Sequence, residues 1–195
     1  MPREDRVMPK IINGIRDEAI KCAQELISSG EYDGFSMRKI AERCNIAVGT
    51  LYNYFASKQD LLMAVIESGF STALDRIDKE CSEAKSIADG ICIICTSIRS
   101  FSESLTKSKT ATLMSGLSSL VGSDFERQVR SAIAEKIEGV LDSHGYTHDK
   151  STTPAITEVI ISLSARCELE IDSVLVLLRR ITEKLERLNR LEKQG

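Results

Sequence analysis

The stretch Phe35–Leu62, FSMRKIAERCNIAVGTLYNYFASKQDLL, decides the fold. Ser36 is a natural N-cap, so a short helix should follow it, with Met37, Ile40 and Ala41 turned inward and Ala41 small enough for close helix contact. Cys44 and Ile46 would plug the turn after it. A second short helix precedes Phe55 and is buried by Leu51 and Phe55, spaced i, i+4. Two short helices joined by a three-to-four-residue turn have helix-turn-helix geometry. Opposite the buried seam lie Val48, Gly49, Thr50, Tyr52, Asn53 and Tyr54, a set too polar and too aromatic for a merely solvating face. It has the character of a contact surface.

Outward from this stretch the pattern stays helical. Prolines stand only at positions 2, 9 and 154, and no segment alternates with period 2. From Ile11 onward apolar residues instead recur at helical spacing, as in Ile12, Ile15, Ala19, Ala23, Leu26 and Ile27. A first helix is predicted from about residue 9 to Ser29, stopping at Gly30. Ser57 with Asp60 resembles a capping box and would open a long helix to about Ser82. Ser86 with Asp89 would open another to about Lys107, a shorter one spans about 109–121, and Ser123 with Glu126 caps one ending near His144. Two more, about 153–166 and 171–193, complete an all-α fold of about nine helices, with residues 144–153 as an exposed polar loop. Five of the nine aromatics fall between Tyr32 and Phe55, where the pieces are short. A three-helix helix-turn-helix domain over residues 1–56 is therefore predicted ahead of a larger helical bundle over residues 57–195.

Composition narrows the function. With 195 residues, 42% apolar and 28% charged, the chain has enough material for a packed core and is too apolar for intrinsic disorder. No apolar run approaches the roughly 20 residues needed to cross a bilayer, and the first ten residues lack the apolar stretch of a secretory signal, so a cytoplasmic protein without a membrane partner is expected. Six cysteines are too sparse for a disulfide framework. Cys92 and Cys95 form a C-x-x-C with no second pair and no nearby histidine, which favours two thiols packed on one helical face. His144 and His148 are spaced i, i+4 around Gly145, a helix breaker, and read as loop residues. Neither arrangement makes a metal site, and no cofactor is implied. There is no Glu-x-x-His pair, no Gly-rich phosphate loop and no G-x-S-x-G elbow, so an enzyme is not expected.

Charge is uneven along the chain. Between Phe35 and Lys58 the basic residues Arg38, Lys39, Arg43 and Lys58 face Glu42 alone, a local +3 in a chain whose net charge is −3. The net-positive block thus coincides with the helix-turn-helix, which suits a phosphate-facing patch.

The strings Phe35-Ser36-Met37-Arg38-Lys39-Ile40-Ala41, Gly49-Thr50-Leu51-Tyr52-Asn53-Tyr54-Phe55 and Ser57-Lys58-Gln59-Asp60-Leu61-Leu62 resemble the DNA-binding domain of TetR-family transcriptional repressors over about residues 10–62. The resemblance implies that Gly49 lets the recognition helix approach the DNA backbone, that Thr50, Tyr52 and Tyr54 contact phosphates or bases, and that Lys58 contacts phosphate. Hydroxyls and a lysine at a helix start are common phosphate partners. Arg38 and Lys39 read as solvated or backbone-tracking charges, and Asn53 suits an adenine edge. Two departures affect base reading. Ala47 stands where many relatives have a capping serine, leaving Asn45 to cap in part, and Val48, in place of a polar residue, could meet a thymine methyl.

The resemblance further implies a homodimer on a palindromic operator, with later helices forming an effector-binding and dimerisation domain. Candidate effector contacts are Phe70, Cys95, Ile98, Phe101, Met114, Leu117 and Phe125, with core packing the alternative for each. No cluster of charge stands out among them, which favours a largely apolar small molecule. For dimerisation the pattern is more direct: Ile171, Val174, Leu178, Ile181, Leu185 and Leu188 follow 3-4-3-4-3 spacing, and Val159, Ile160 and Leu163 of the preceding helix would complete a four-helix contact. The function expected is a transcriptional repressor released from its operator by a small molecule; the alternative is a helix-turn-helix used for protein contact without DNA.

Overall fold

In the computed structural model, residues 14–29, 35–106, 123–146, 152–166 and 168–192 are described here, and they are helical without strands. Eight helices follow in chain order: α1 (Ile15–Ser28), α2 (Met37–Arg43), α3 (Val48–Tyr52), α4 (Lys58–Cys81), α5 (Ile87–Thr106), α6 (Ser123–Ser143), α7 (Thr152–Ala165) and α8 (Ile171–Glu192). The helix expected over about 109–121, the start of the first helix before Gly14, and residues 147–151 of the expected 144–153 loop lie outside the described residues. The chain divides into two compact units, residues 1–65 and 66–195. The sequence reading puts the division at 56/57, ahead of α4; the first unit also takes the opening two turns of α4, whose Leu61, Leu62 and Val65 are buried.

Local chemistry accounts for the helix ends. Ser36 accepts the Lys39 amide at 3.2 Å, Ser57 the Asp60 amide at 3.1 Å and Ser86 the Asp89 amide at 3.1 Å, each satisfying a donor that has no partner inside its helix. Gly145 stops α6 in the left-handed region at φ 64°, with its amide on the Asp142 carbonyl at 3.0 Å and the Tyr146 amide on Leu141 at 3.0 Å. That is the Schellman pairing, and Tyr146 packs back on the core. Pro154 is tolerated because it sits in the first turn of α7, where its missing N–H has no acceptor to lose.

In the first unit, α1 buries Ile15, Ala19, Ile20, Ala23, Leu26 and Ile27, and α2 and α3 add Met37, Ile40, Ala41 and Leu51. In the second, α5 is the central element, packing against α6, α7 and α8. It can approach α6 closely because Gly90 has no side chain: a Cβ there would lie 2.5 Å from Cγ1 of Val140. Gly90→Ala should therefore lower stability by up to about 2 kcal/mol, since overpacking of about 1–3 kcal/mol is set against alanine's helix propensity gain of about 1 kcal/mol. Gly139→Ala on α6, where a Cβ meets nothing within 4 Å, should raise stability by about 0.5–1 kcal/mol. Urea denaturation of the two variants checks the sign of each.

Candidate nucleic-acid interface

The turn between α2 and α3 is built differently from the sequence expectation. Asn45 does not cap α3. It is the left-handed residue that ends α2, with φ 52°, its amide on Glu42 at 3.1 Å and the Ile46 amide on Ala41 at 2.9 Å. Asparagine tolerates this conformation because its short polar side chain costs little there. Ala47 occupies the α3 N-cap without a side-chain hydrogen bond. The orientation of α3 is instead imposed by packing, with Leu51 and Phe55 buried.

Because that buried edge fixes the helix, the remaining arc faces out. Gly49 and Asn53 are exposed, Tyr52 is 50% exposed, and Thr50, Val48 and Tyr54 are half-buried. At 100° per residue, Gly49 and Asn53 sit at the middle of the arc with Tyr52 and Thr50 on either side. A Cβ on Gly49 would meet nothing within 4 Å, and its φ is not in the left-handed region, so the fold itself does not require glycine there. Arg38 is exposed on α2 beside half-buried Lys39.

Lys58 opens α4, and its ammonium lies 5.1 Å from the centroid of the Phe35 ring, which is 3% exposed. This cation–π contact rests the lysine against an aromatic floor. Phe35 is absent from the sequence-derived site, as is Arg16, whose guanidinium lies 5.6 Å from the Phe55 ring centroid. No local spacing signals either pair, since each joins residues far apart in sequence.

Behind the face, the Cys44 thiol is pushed up to about 12 by burial, with the Cys22 thiol in hydrogen-bonding contact adding to the shift. It is neutral in both folded and unfolded chains below the ordinary thiol value of 9.0. Between that value and about 12 the unfolded chain releases its proton first. Stability of the first unit should therefore be level below pH 9 and fall above it by up to about 1.4 kcal/mol per pH unit. Thermal melts from pH 7 to 10.5 check this, and Cys44→Ala should flatten the decline.

In the second unit, three expected effector residues converge. Phe70 and Phe101 have ring centroids 5.7 Å apart, and Phe70 and Phe125 lie edge to face at 6.2 Å. Buried Ile98 and Cys95 belong to the same apolar cluster, but the Cys95 sulfur accepts a hydrogen bond from the Ser164 hydroxyl of α7 at 3.3 Å. Met114 and Leu117 lie outside the described residues. Two open clefts, of about 490 Å³ between the end of α4 and α6 and about 300 Å³ beside Tyr146, are lined by none of these residues.

The expected dimer seam splits. Ile160, Val174 and Leu178 are buried in the subunit's own core and Leu163 is half-buried against it. Val159 and Ile181 are exposed, as are Leu177 and Leu191, which the sequence pattern places beside the seam as a widening of the apolar face, and Val176, which it does not include. The side chain of Leu185 lies outside the described residues. Among the described residues no helix is long and apolar enough to cross a membrane, and no group of three or more His, Cys, Asp or Glu residues could hold a metal ion.

Comparison with known proteins concentrates on the first unit. Residues 19–65 match the bacterial regulatory proteins, tetR family. The HTH-type transcriptional repressor KstR of Rhodococcus jostii is 41% identical over 63 residues, which cover 32% of this chain and 28% of that protein. The chain thus spans under a third of the length of the curated relatives it first matches. In fold the likeness runs further. A tetR-family regulator from Streptomyces coelicolor superposes with a TM-score of 0.60 at 15% identity, covering 93% of this chain and 84% of that one. The FadR repressor of Thermus thermophilus, solved with lauroyl-CoA, superposes with a TM-score of 0.50 at 15% identity over 89% of this chain and 92% of its own. In the sequence of its helix-turn-helix domain, over residues 19–65, the chain is thus similar to the tetR family of bacterial regulatory proteins, and in its all-helical fold it is similar to solved regulators described by that name.

Proposed function

We propose that the protein is a DNA-binding transcriptional repressor that acts as a homodimer on a palindromic operator and is released by a largely apolar small molecule. The observation carrying this reading is the outward arc of α3, where bare Gly49 lies between Tyr52, Asn53 and Thr50 within the positively charged block of an acidic chain. A hydroxyl- and amide-bearing arc in the same stretch of chain as Arg38, Lys39 and Lys58 suits the phosphates and base edges of a major groove. The 41%-identical relative bears the name of a transcriptional repressor.

Selection from a random duplex library, followed by anisotropy titration at several salt concentrations, tests the reading. An enriched inverted repeat bound with strong salt dependence is expected. Recovery of no repeat, or salt-insensitive affinity, would point to a helix-turn-helix used for protein contact. Lys58→Ala should weaken all sequences alike and lower the salt slope by about 1, whereas Asn53→Ala should cost about 1–3 kcal/mol chiefly at one base pair.

For the effector, the supporting feature is the Phe70, Phe101 and Phe125 cluster, and a structural neighbour was solved with an acylated ligand. Release requires unequal affinity, because a ligand that binds the DNA-bound and free forms equally shifts nothing. For dimerisation, Val159, Val176, Leu177, Ile181 and Leu191 supply apolar surface that the subunit leaves uncovered.

A further inference from the structure

Arg99 is a cation buried inside the second unit. It is 3% exposed, and among the described residues no acidic side chain pairs with it. Its Nη1 donates to the Leu169 carbonyl at 3.0 Å and its Nη2 to the Leu163 carbonyl at 3.0 Å, while Nε is buried with no partner among the described residues. Leu163 lies in the last turn of α7, where carbonyls have no partner within the helix, and Leu169 lies just before α8. One guanidinium thus spans the entry and the exit of the α7–α8 connection.

The same stripe of α5 makes two more bonds to this pair of helices. The Cys95 sulfur accepts from Ser164 of α7, and the Cys92 thiol donates to the Leu175 carbonyl of α8 at 3.9 Å. Cys92, Cys95 and Arg99 fall within about 60° of one another at 3.6 residues per turn. Burial raises the pKa of both thiols, so they act as neutral groups. The C-x-x-C is thereby part of a docking ladder that ends in Arg99.

A buried cation without a carboxylate is a poor device for stability alone, because an apolar side chain of similar volume avoids its desolvation and its orphan donor. What it supplies is direction: two bonds in a fixed fork, which methionine cannot make. We propose that Arg99 is a positioning residue that fixes the α7–α8 pair on α5 and so presents Val159 and Ile181 in the register a second copy of the chain requires. The inference rests on the dimer surface proposed above.

The test is Arg99→Met in the full chain, read by hydrogen exchange and sedimentation velocity. Amides of residues 164–175 should exchange at least tenfold faster, those of α6 should not change, and the dimer dissociation constant should rise tenfold or more while the melting temperature holds. Arg99→Lys, which keeps the cation but cannot span both carbonyls, should fall between the two. Unchanged exchange over 164–175, or faster exchange with an unchanged dimer, overturns the proposal. Should Arg99→Met fail to fold, Arg99→Lys decides: parent-like exchange and dimerisation overturn the proposal, and a folded, weakened dimer upholds it. A parent that proves monomeric overturns the dimer surface and the presentation step, while exchange over 164–175 still reads whether Arg99 fixes the turn.

Discussion

Replacing Gly49 by leucine should weaken operator binding on the order of 100-fold, roughly 2.7 kcal/mol, without destabilising the DNA-binding unit. The fold tolerates the change: Gly49 lies inside α3, its φ is not left-handed, and a Cβ meets nothing within 4 Å. Leucine is the better helix former by up to about 0.8 kcal/mol, so the melting temperature should hold or rise. Its isobutyl group would stand at the centre of the arc formed by Tyr52, Asn53 and Thr50, keeping the helix from the groove floor and leaving base-edge donors and acceptors without partners. Anisotropy with the selected operator measures the loss, and circular dichroism checks the fold. A Gly49→Leu protein that binds like the parent would move the DNA-contacting face away from this arc.

How far this face was legible depends on the kind of signal. Helix-turn-helix geometry follows from short-range facts, namely the Ser36 cap and the Leu51–Phe55 spacing, and these act in the structure as local chemistry dictates. Asn45 was harder, because asparagine serves both at N-caps and in the left-handed position ending a helix. The missing cap at Ala47 made the first role attractive; the φ of 52° at Asn45 belongs to the second. Phe35 as a floor for Lys58 was beyond reach, since 23 residues separate the pair and only tertiary packing joins them.

The bundle was less legible for a related reason. Periodicity identifies an apolar face without saying what covers it. Ile171, Val174, Leu178 and Ile181 form one row in sequence, yet Val174 and Leu178 pack in the subunit's own core while Ile181 points out. Arg99 escaped notice because arginine is surface-seeking by default, and nothing in the run IICTSIRSF marks it as a residue that bonds across to the α7–α8 turn. Long-range hydrogen bonds leave no trace in composition or spacing.

That split of the seam sharpens what substitution there should do. Ile181 is 44% exposed in the subunit and Leu178 is 4% exposed, one turn of α8 away. Ile181→Lys should leave the isolated subunit within about 0.5 kcal/mol of the parent, as surface substitutions do, because the lysine can reach water from that position. In the dimer it loses that water. An isologous contact contains the substitution twice, so two desolvated ammonium groups without partners, each costing about 2 kcal/mol or more, should raise the dissociation constant on the order of 1000-fold. Leu178→Lys should behave differently, since the charge enters the subunit core and lowers the melting temperature whatever the state of association. Operator affinity should fall with Ile181→Lys although α3 is untouched, because two half-sites bound by one dimer cooperate and two monomers do not. Sedimentation velocity over a concentration series, run beside circular dichroism, separates the outcomes. A parent that remains monomeric at micromolar concentration would overturn the dimer itself, and a folded Ile181→Lys protein that remains fully dimeric would place the self-association surface on other helices than α7 and α8.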